Sequence, residues 1–355
     1  MNATNKTIKI PLKTILWLLL LTFLQASAFV IFSTYVRQLE TPVAFTWFMG
    51  WAALTSFVVA FYHERKRPNQ NGVVGIKKWH SVIGVGKSLA RIAASEHQNI
   101  LFLTFILFIT SLAYVLSWFP LLSTLQSELA VPILIVIALT PVLNVFFSKW
   151  ILGDKVESWN WFKIGAILSI IGVVMFQIFG SDPSLMLSLT PLLLVILNMF
   201  LSIVYNVCKI YLVRRDLHSS QVVAISNLSA FTIGIVIILL QAQNTTNLRL
   251  FPSLAEHVAL FYLGVIPTGI VLIFSTNMSR DYGVPIVETI GSAKPLFSYV
   301  ITLIIFTCLN FTLDLNIASQ EIAMPTFFQW AGILLLILGI SISYWLGKPR
   351  TNKTK

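Results

Sequence analysis

The chain has 355 residues, of which 57% are hydrophobic and only 10% charged, with a formal net charge of +11. A soluble protein carries roughly 25% charged residues, so a water-soluble globule of this size is excluded for want of polar surface. The basic excess invites a nucleic-acid reading, but the cations sit in short segments between apolar runs and form no nucleic-acid surface.

Apolar runs of about 20 residues, the length that a bilayer core ~30 Å thick demands of a helix, recur along the whole chain. Their continuous apolarity predicts helices, because barrel strands would alternate polar and apolar residues. Ten spans are expected, at 13–35, 42–62, 99–118, 128–151, 161–179, 187–212, 221–242, 257–277, 284–308 and 326–346. The fold class is an all-α polytopic membrane protein.

Span one follows Lys9 and Lys13. Ala26-Ser27-Ala28 looks like a signal-peptidase site, but the apolar run continues through Phe29-Val30-Ile31-Phe32, so the span is expected to stay. Gln25 and Ser27 are minor polar candidates within it. Trp47 in span two and Tyr114 in span three are read as aromatic walls of a binding cavity. Trp118 could supply a third such wall, but near the expected end of span three the interfacial belt is the stronger reading.

Segment 63–98 sets Trp79, Val82, Ile83, Leu89 and Ile92 among Lys77, Lys78, Lys87 and Arg91. That pattern predicts an amphipathic helix lying on anionic lipids of the inner leaflet. Gly84-Val85-Gly86-Lys87-Ser88 echoes a phosphate-binding loop, but Ser81 stands where the pattern needs glycine and no strand precedes it.

Span four begins at Glu128, a solvated helix-start acid, and holds Pro141; span five carries Gly165 and Gly172. Span six bears a polar stripe of Asn198, Ser202, Tyr205 and Asn206, whose steps of three and four share one side of a helix. Such a stripe either lines a cavity or bonds another helix.

Span nine carries Glu288, Lys294 and Pro295. A charge in mid-span costs ~3 kcal/mol or more on insertion scales, so Lys294 should face protein or water. It lies about 15 Å along its helix, near the midplane. Pro295 leaves a carbonyl free one turn back. A cation beside a loosened turn suits a carboxylate or phosphate; a structural ion pair to a neighbouring helix is the alternative. Glu288 lies roughly 240° round the helix from Lys294. It suits a cationic substrate group, a coupling proton, or a solvated place at the cytoplasmic mouth. Span ten carries Gly332 and Gly339.

With the N-terminus inside the cell, the cytoplasmic segments hold all but three of the 24 lysines and arginines, including Lys209, Arg214 and Arg215 after span six. Arg37 and Arg249 fall outside, and Lys294 lies within span nine. That bias follows the positive-inside rule and places both termini in the cytoplasm.

Pro141, Gly165 and Gly172 are echoed by Pro295, Gly332 and Gly339, with the same spacing between the glycines. Two repeats of five spans follow, 1–180 and 181–355. Five is odd, so the second copy enters the membrane with opposite polarity, the inverted arrangement that supports alternating access. An insertion is expected after span nine, around 310–314. The glycines are read as helix-packing positions.

The stretch LTPVLNVFFSKWILGDKVESWNWFKIGAILSIIGVVMF (139–176) resembles the hallmark of the EamA-type transporters of the drug/metabolite transporter superfamily. There a proline-bearing helix ends in a Gly-acidic pair and a two-glycine helix follows. LGVIPTGIVLIFSTNMSRDYGVPIVETIGSAKPLFSYVITLIIF (263–306) resembles the matching part of the second repeat. Asp154 stands where the family usually has Glu. The resemblance implies ten helices around a central cavity and export or exchange of small metabolites.

The expected function is therefore secondary transport of small organic metabolites such as amino acids, with the cavity near Lys294. Nucleotide-sugar or sugar-phosphate exchange is the alternative, since Lys294 would suit phosphate. An integral-membrane enzyme acting on lipids would need a cluster of acids, His or Cys at a membrane face, and no such cluster is present. No catalytic residue, cofactor or metal site is expected: the histidines are scattered, and Cys208 and Cys308 carry no disulfide or metal spacing. The expected partners are a small-molecule substrate and membrane lipids, with no nucleic acid; a homodimer is compatible with the chain. The expected location is the cell (inner) membrane.

Overall fold

The structure is a computed structural model. It describes residues 12–36, 38–65, 89, 100–127, 130–153, 155–156, 158–179, 187–215, 217–243, 249–282, 284–291, 293–312, 326–346 and 349–350. The amphipathic segment, apart from 63–65 and 89, lies outside them, as do Arg37, Glu128, Asp154 and residues 313–325, which include the end of the stretch where the insertion is expected.

The helices are α1 (Leu12–Tyr35), α2 (Thr41–Arg65), α3 (Ile100–Ser127), α4 (Ala130–Ile137), α5 (Thr140–Leu152), α6 (Trp159–Ile178), α7 (Leu189–Arg214) and α8 (Ser219–Ala242). Then α9 (Leu254–Leu263) runs through a π-helical stretch, Gly264–Val271, into α10 (Leu272–Tyr282). The series ends with α11 (Val284–Gly291), α12 (Lys294–Thr312) and α13 (Phe327–Trp345). Among the described residues, eight segments are long and apolar enough to cross a membrane, from Leu12–Tyr35 to Leu254–Asp281, so this is an integral membrane protein.

In lipid no water satisfies the backbone, which favours helices. Hydroxyls inside the spans then bond their own helix: Thr22 donates to the Leu18 carbonyl at 2.8 Å and Thr110 to Ile106 at 2.7 Å. The helix starts are capped in the same economical way. Ser253 and Glu256 form a reciprocal capping box on α9, and Thr326 and Gln329 do so on α13. Large apolar side chains such as Leu101, Trp150 and Phe327 are exposed, as contact with lipid tails requires.

Span three differs from expectation. It continues through Pro120 to Ser127. Thr124 donates to the Pro120 carbonyl at 2.7 Å, and the proline is accommodated inside a continuous helix.

Two apolar runs that read as single spans are interrupted. Ala138 and Leu139 form a turn between α4 and α5, and α5 resumes with Thr140 and Pro141. The second break separates α11 from α12, which resumes with Lys294 and Pro295. Proline suits such restarts, because its missing N–H belongs to a first turn that has no intrahelical acceptor.

The helices pair as α2 with α8, α3 with α7, and α6 with α13, while α1 packs on α9, α11 and α12. Along α6 and α13 the contact is backbone to backbone. A Cβ built on Gly172 would lie 2.5 Å from the Gly332 carbonyl oxygen, and one on Gly339 would lie 2.5 Å from that of Gly165. Gln329 donates to the Phe176 carbonyl at 3.3 Å and Ser343 to that of Phe162 at 3.1 Å, so the two helices run antiparallel. A two-residue antiparallel pairing, β1 (Lys155–Val156) with β2 (Pro349–Arg350), ties the segment after α5 to the C-terminal end.

Candidate functional site

A central cavity of about 220 Å³ lies among α1, α3, α4, α5, α7, the π-helical stretch, α11 and α12. Both helix restarts reach it: Thr140 opens α5 at its wall and Lys294 opens α12 there. A helix N-terminus carries a partial positive charge from its unsatisfied N–H groups.

All four stripe residues of α7 line the cavity. Asn198 is anchored by donating its amide to the Ser117 carbonyl at 2.7 Å, which fixes α7 to α3. Asn206 accepts a hydrogen bond from the Lys209 ammonium at 3.0 Å, and that ammonium sits 4.6 Å from the centre of the Tyr205 ring. Tyr205 stacks on Tyr114 with ring centres 4.7 Å apart. The Tyr114 hydroxyl donates to Asn227 Oδ1 at 2.7 Å, and Asn227 donates to the Ser56 hydroxyl at 2.8 Å. One polar chain thus runs from the cavity wall through α3 and α8 to α2.

Buried hydrogen-bonding groups are usually paired. Among the described residues, the Thr140 hydroxyl, the Asn144 amide and the Tyr205 hydroxyl are buried without a hydrogen-bond partner. The Ser226 hydroxyl neighbours Tyr205 but lies outside hydrogen-bond geometry. Thr140 and Asn144 stand one turn apart on α5, and Thr140 and Tyr205 line the cavity.

Of the candidates read from sequence, Lys294, Asn198, Ser202, Tyr205, Asn206 and Tyr114 come together here, with Gln25. Trp47 does not. Its indole donates to the Leu250 carbonyl at 3.1 Å and its ring packs 5.0 Å from His257, away from the cavity. Ser27 pairs with the Tyr262 hydroxyl at 2.6 Å, a contact between helices. Glu288 belongs to α11, and its side chain lies outside the described residues. Pro141, Gly165, Gly172, Pro295, Gly332 and Gly339 occupy the restarts and the α6–α13 contact described above.

Two residues are placed differently from the sequence reading. Trp118 lines the cavity and packs 5.1 Å from Phe48, because α3 continues well past it. Lys209, counted with the cytoplasmic cations, is 5% exposed inside α7 and lines the cavity. Its signal was available, since it continues the stripe three residues after Asn206. Thr268, on the π-helical stretch, also lines the cavity. Pro267 between two nearby glycines marked that distortion. Among the described lining residues, Lys209 and Lys294 carry charge and no carboxylate does.

Comparison with family models and with curated proteins finds no match. Among solved structures, one described as "Crystal structure of protein" superposes with a TM-score of 0.54 at 16% identity, covering 92% of this chain and 98% of that one. At that identity the likeness shows the fold alone. The class reached is a helical integral membrane protein with a cavity lined by apolar side chains and a cluster of polar ones.

Proposed function

We propose that this protein is a secondary transporter of small organic metabolites, working by alternating access around the central cavity. In this reading ten spans form two inverted five-helix repeats, 1–180 and 181–355, with both termini in the cytoplasm and the protein in the cell (inner) membrane. The EamA-type transporters are the family it resembles, and amino acids are the first cargo class to try.

One observation carries the reading. Two spans at corresponding places in the two halves are interrupted, and both restarts, Thr140-Pro141 and Lys294-Pro295, meet at one cavity. Interrupted helices around a mid-membrane site are the architecture of transporters that rock one repeat against another. The corresponding glycine pairs of α6 and α13 lie against each other, which suits a pivot between the halves.

A second reading, exchange of a phosphorylated solute, gains from Lys209, which adds a second cation to the cavity. The cavity of about 220 Å³ is below the roughly 300–1,000 Å³ of sites for drug-sized ligands. That favours a small phosphate ester over a nucleotide-sugar.

Flux into proteoliposomes tests the proposal. Uptake of a small organic solute by counterflow, lost in Lys294→Ala at equal incorporation, is the expected result. Unchanged flux in Lys294→Ala would remove the cavity from the transport path.

A further inference from the structure

Resting on the transporter reading, we infer that the cavity takes an amphipathic solute, one hydrogen-bonding head on an apolar tail, and that α1, α3 and α4 form the pocket for the tail. Three walls of the cavity change from polar to apolar within about one turn. The step runs from Gln25 to Phe29 on α1, from Ser117 to Leu121 on α3, and from Thr140 back to Ile137 where α5 meets α4. One such step is ordinary in a membrane helix. Three at one depth enclose a compartment.

A polar clasp fixes that depth. The Gln126 amide, near the end of α3, donates to the Leu39 carbonyl, and the Thr41 hydroxyl donates to Gln126 Oε1. The link from α1 to α2 therefore lies against the end of α3, and α4 starts just after α3 stops. Counted from that end, Phe29, Trp118 and Ile137 each sit about two to three turns in. All three line the cavity and are half-buried. Behind them Phe32, Leu122, Leu125 and Leu134 are at most 2% exposed, so the compartment is closed at its far end.

Hydrogen-bonding groups collect on the other side of the boundary. Gln25, Ser202 and Asn206 line the cavity and are half-buried, and the buried Thr140 and Tyr205 hydroxyls have no hydrogen-bond partner among the described residues. At the opposite end of the cavity Ser275 and Ser279 mix with Leu18, Leu21 and Val287, without a comparable division. Lys209 and Lys294 each interact with other groups of the protein, so the selectivity is assigned to the apolar compartment rather than to charge.

Volume limits the tail. An apolar cavity of about 150 Å³ holds one benzene ring, so the cavity of about 220 Å³ holds roughly five or six tail carbons and a small head. Each methylene taken out of water there should tighten binding about fourfold.

The test titrates the full-length protein in nanodiscs calorimetrically with acetate, butyrate, hexanoate, decanoate and hexanamide, with empty nanodiscs as the blank. Hexanoate should bind on the order of 100-fold tighter than acetate, and decanoate no tighter than hexanoate, because the closed end stops the tail. Partition into lipid would instead climb with every methylene. Phe29→Ala should lengthen the preferred chain and Ile137→Phe should shorten it, opposite shifts that a general loss of folding does not give. Whether hexanoate or hexanamide binds tighter names the head, and either order supports the inference.

The inference is overturned if acetate binds as tightly as hexanoate, if decanoate keeps gaining, if both variants keep the wild-type chain length, or if none of the solutes binds. Counterflow in proteoliposomes separates it from the reading it rests on. Binding with this chain-length limit but without flux would sink transport and leave the compartment standing. Flux of a solute with no apolar tail, without chain-length preference, would do the reverse.

Discussion

The α6–α13 contact and the cavity wall formed by the helix restarts use pieces that correspond in sequence, Pro141, Gly165 and Gly172 against Pro295, Gly332 and Gly339, in opposite ways. Along α6 and α13 the copies match: Gly165 and Gly172 meet Gly339 and Gly332, and the interface is backbone, small hydroxyls and amides. At the restarts the copies diverge, since Thr140 precedes one proline and Lys294 the other. Under the proposed transporter reading, matching small residues would serve a contact between two repeats, and differing residues would serve recognition of one solute. On that reading sequence symmetry marks the scaffold, and its failure marks the site.

Substitutions can break that division. The largest effect is expected from Gly172→Leu. Its Cβ alone would meet backbone at 2.5 Å, so α6 and α13 must part; over-packing of this kind costs about 3 kcal/mol or more. Loss of monodisperse protein, or a melting temperature lower by roughly 10 °C, would show it; an unchanged melting temperature would mean the helices are not held this closely.

Lys294→Ala should act oppositely. Flux should fall on the order of 100-fold, as for a charge that binds substrate, while the melting temperature stays within about 2 °C. A stability loss matching that of Gly172→Leu would erase the contrast between scaffold and site.

Tyr114→Phe probes the polar chain between the two regions. It leaves Asn227 Oδ1 without the 2.7 Å donor, at a cost of about 1–3 kcal/mol for a buried group. Chemical denaturation should register it, with solute affinity changing less than stability. Thr140→Val removes a hydroxyl that has no partner within the described protein. Stability should hold or rise slightly, and solute affinity should fall by roughly threefold to tenfold; equal affinity would exclude this hydroxyl from the site. The smallest effect belongs to Trp47→Phe. Only its hydrogen bond to the Leu250 carbonyl is lost, and flux should stay within about twofold, because that residue packs away from the cavity.

Much of this was legible beforehand. The long helices follow from apolar run length, but the breaks before Thr140-Pro141 and Lys294-Pro295 were not read, because both runs are apolar throughout and pass as single spans. The spacing of Asn198, Ser202, Tyr205 and Asn206 put them on one side of α7, and that side faces the cavity. Lys209 continues the same stripe, yet its nearness to Arg214 and Arg215 made it look like another cytoplasmic cation. Charge counting sorts residues by position along the chain and is blind to which way a side chain turns. Trp118 was read chiefly as an interfacial residue because span three was expected to end at 118, whereas α3 runs on through Pro120 to Ser127.

Sequence alone determined that the chain is helical and membrane-embedded, because a low fraction of charge and long apolar runs leave no other way to satisfy the backbone. It also carried the duplicated glycine spacing. The tertiary structure decided which residues share the cavity. A helix in lipid is apolar on its outer face as well as its inner one, so hydrophobic periodicity does not report its rotation. Only the packing of α7 against α3 and α5, and of α12 against α1, turned Lys209 and Lys294 toward one space and left Trp47 outside it.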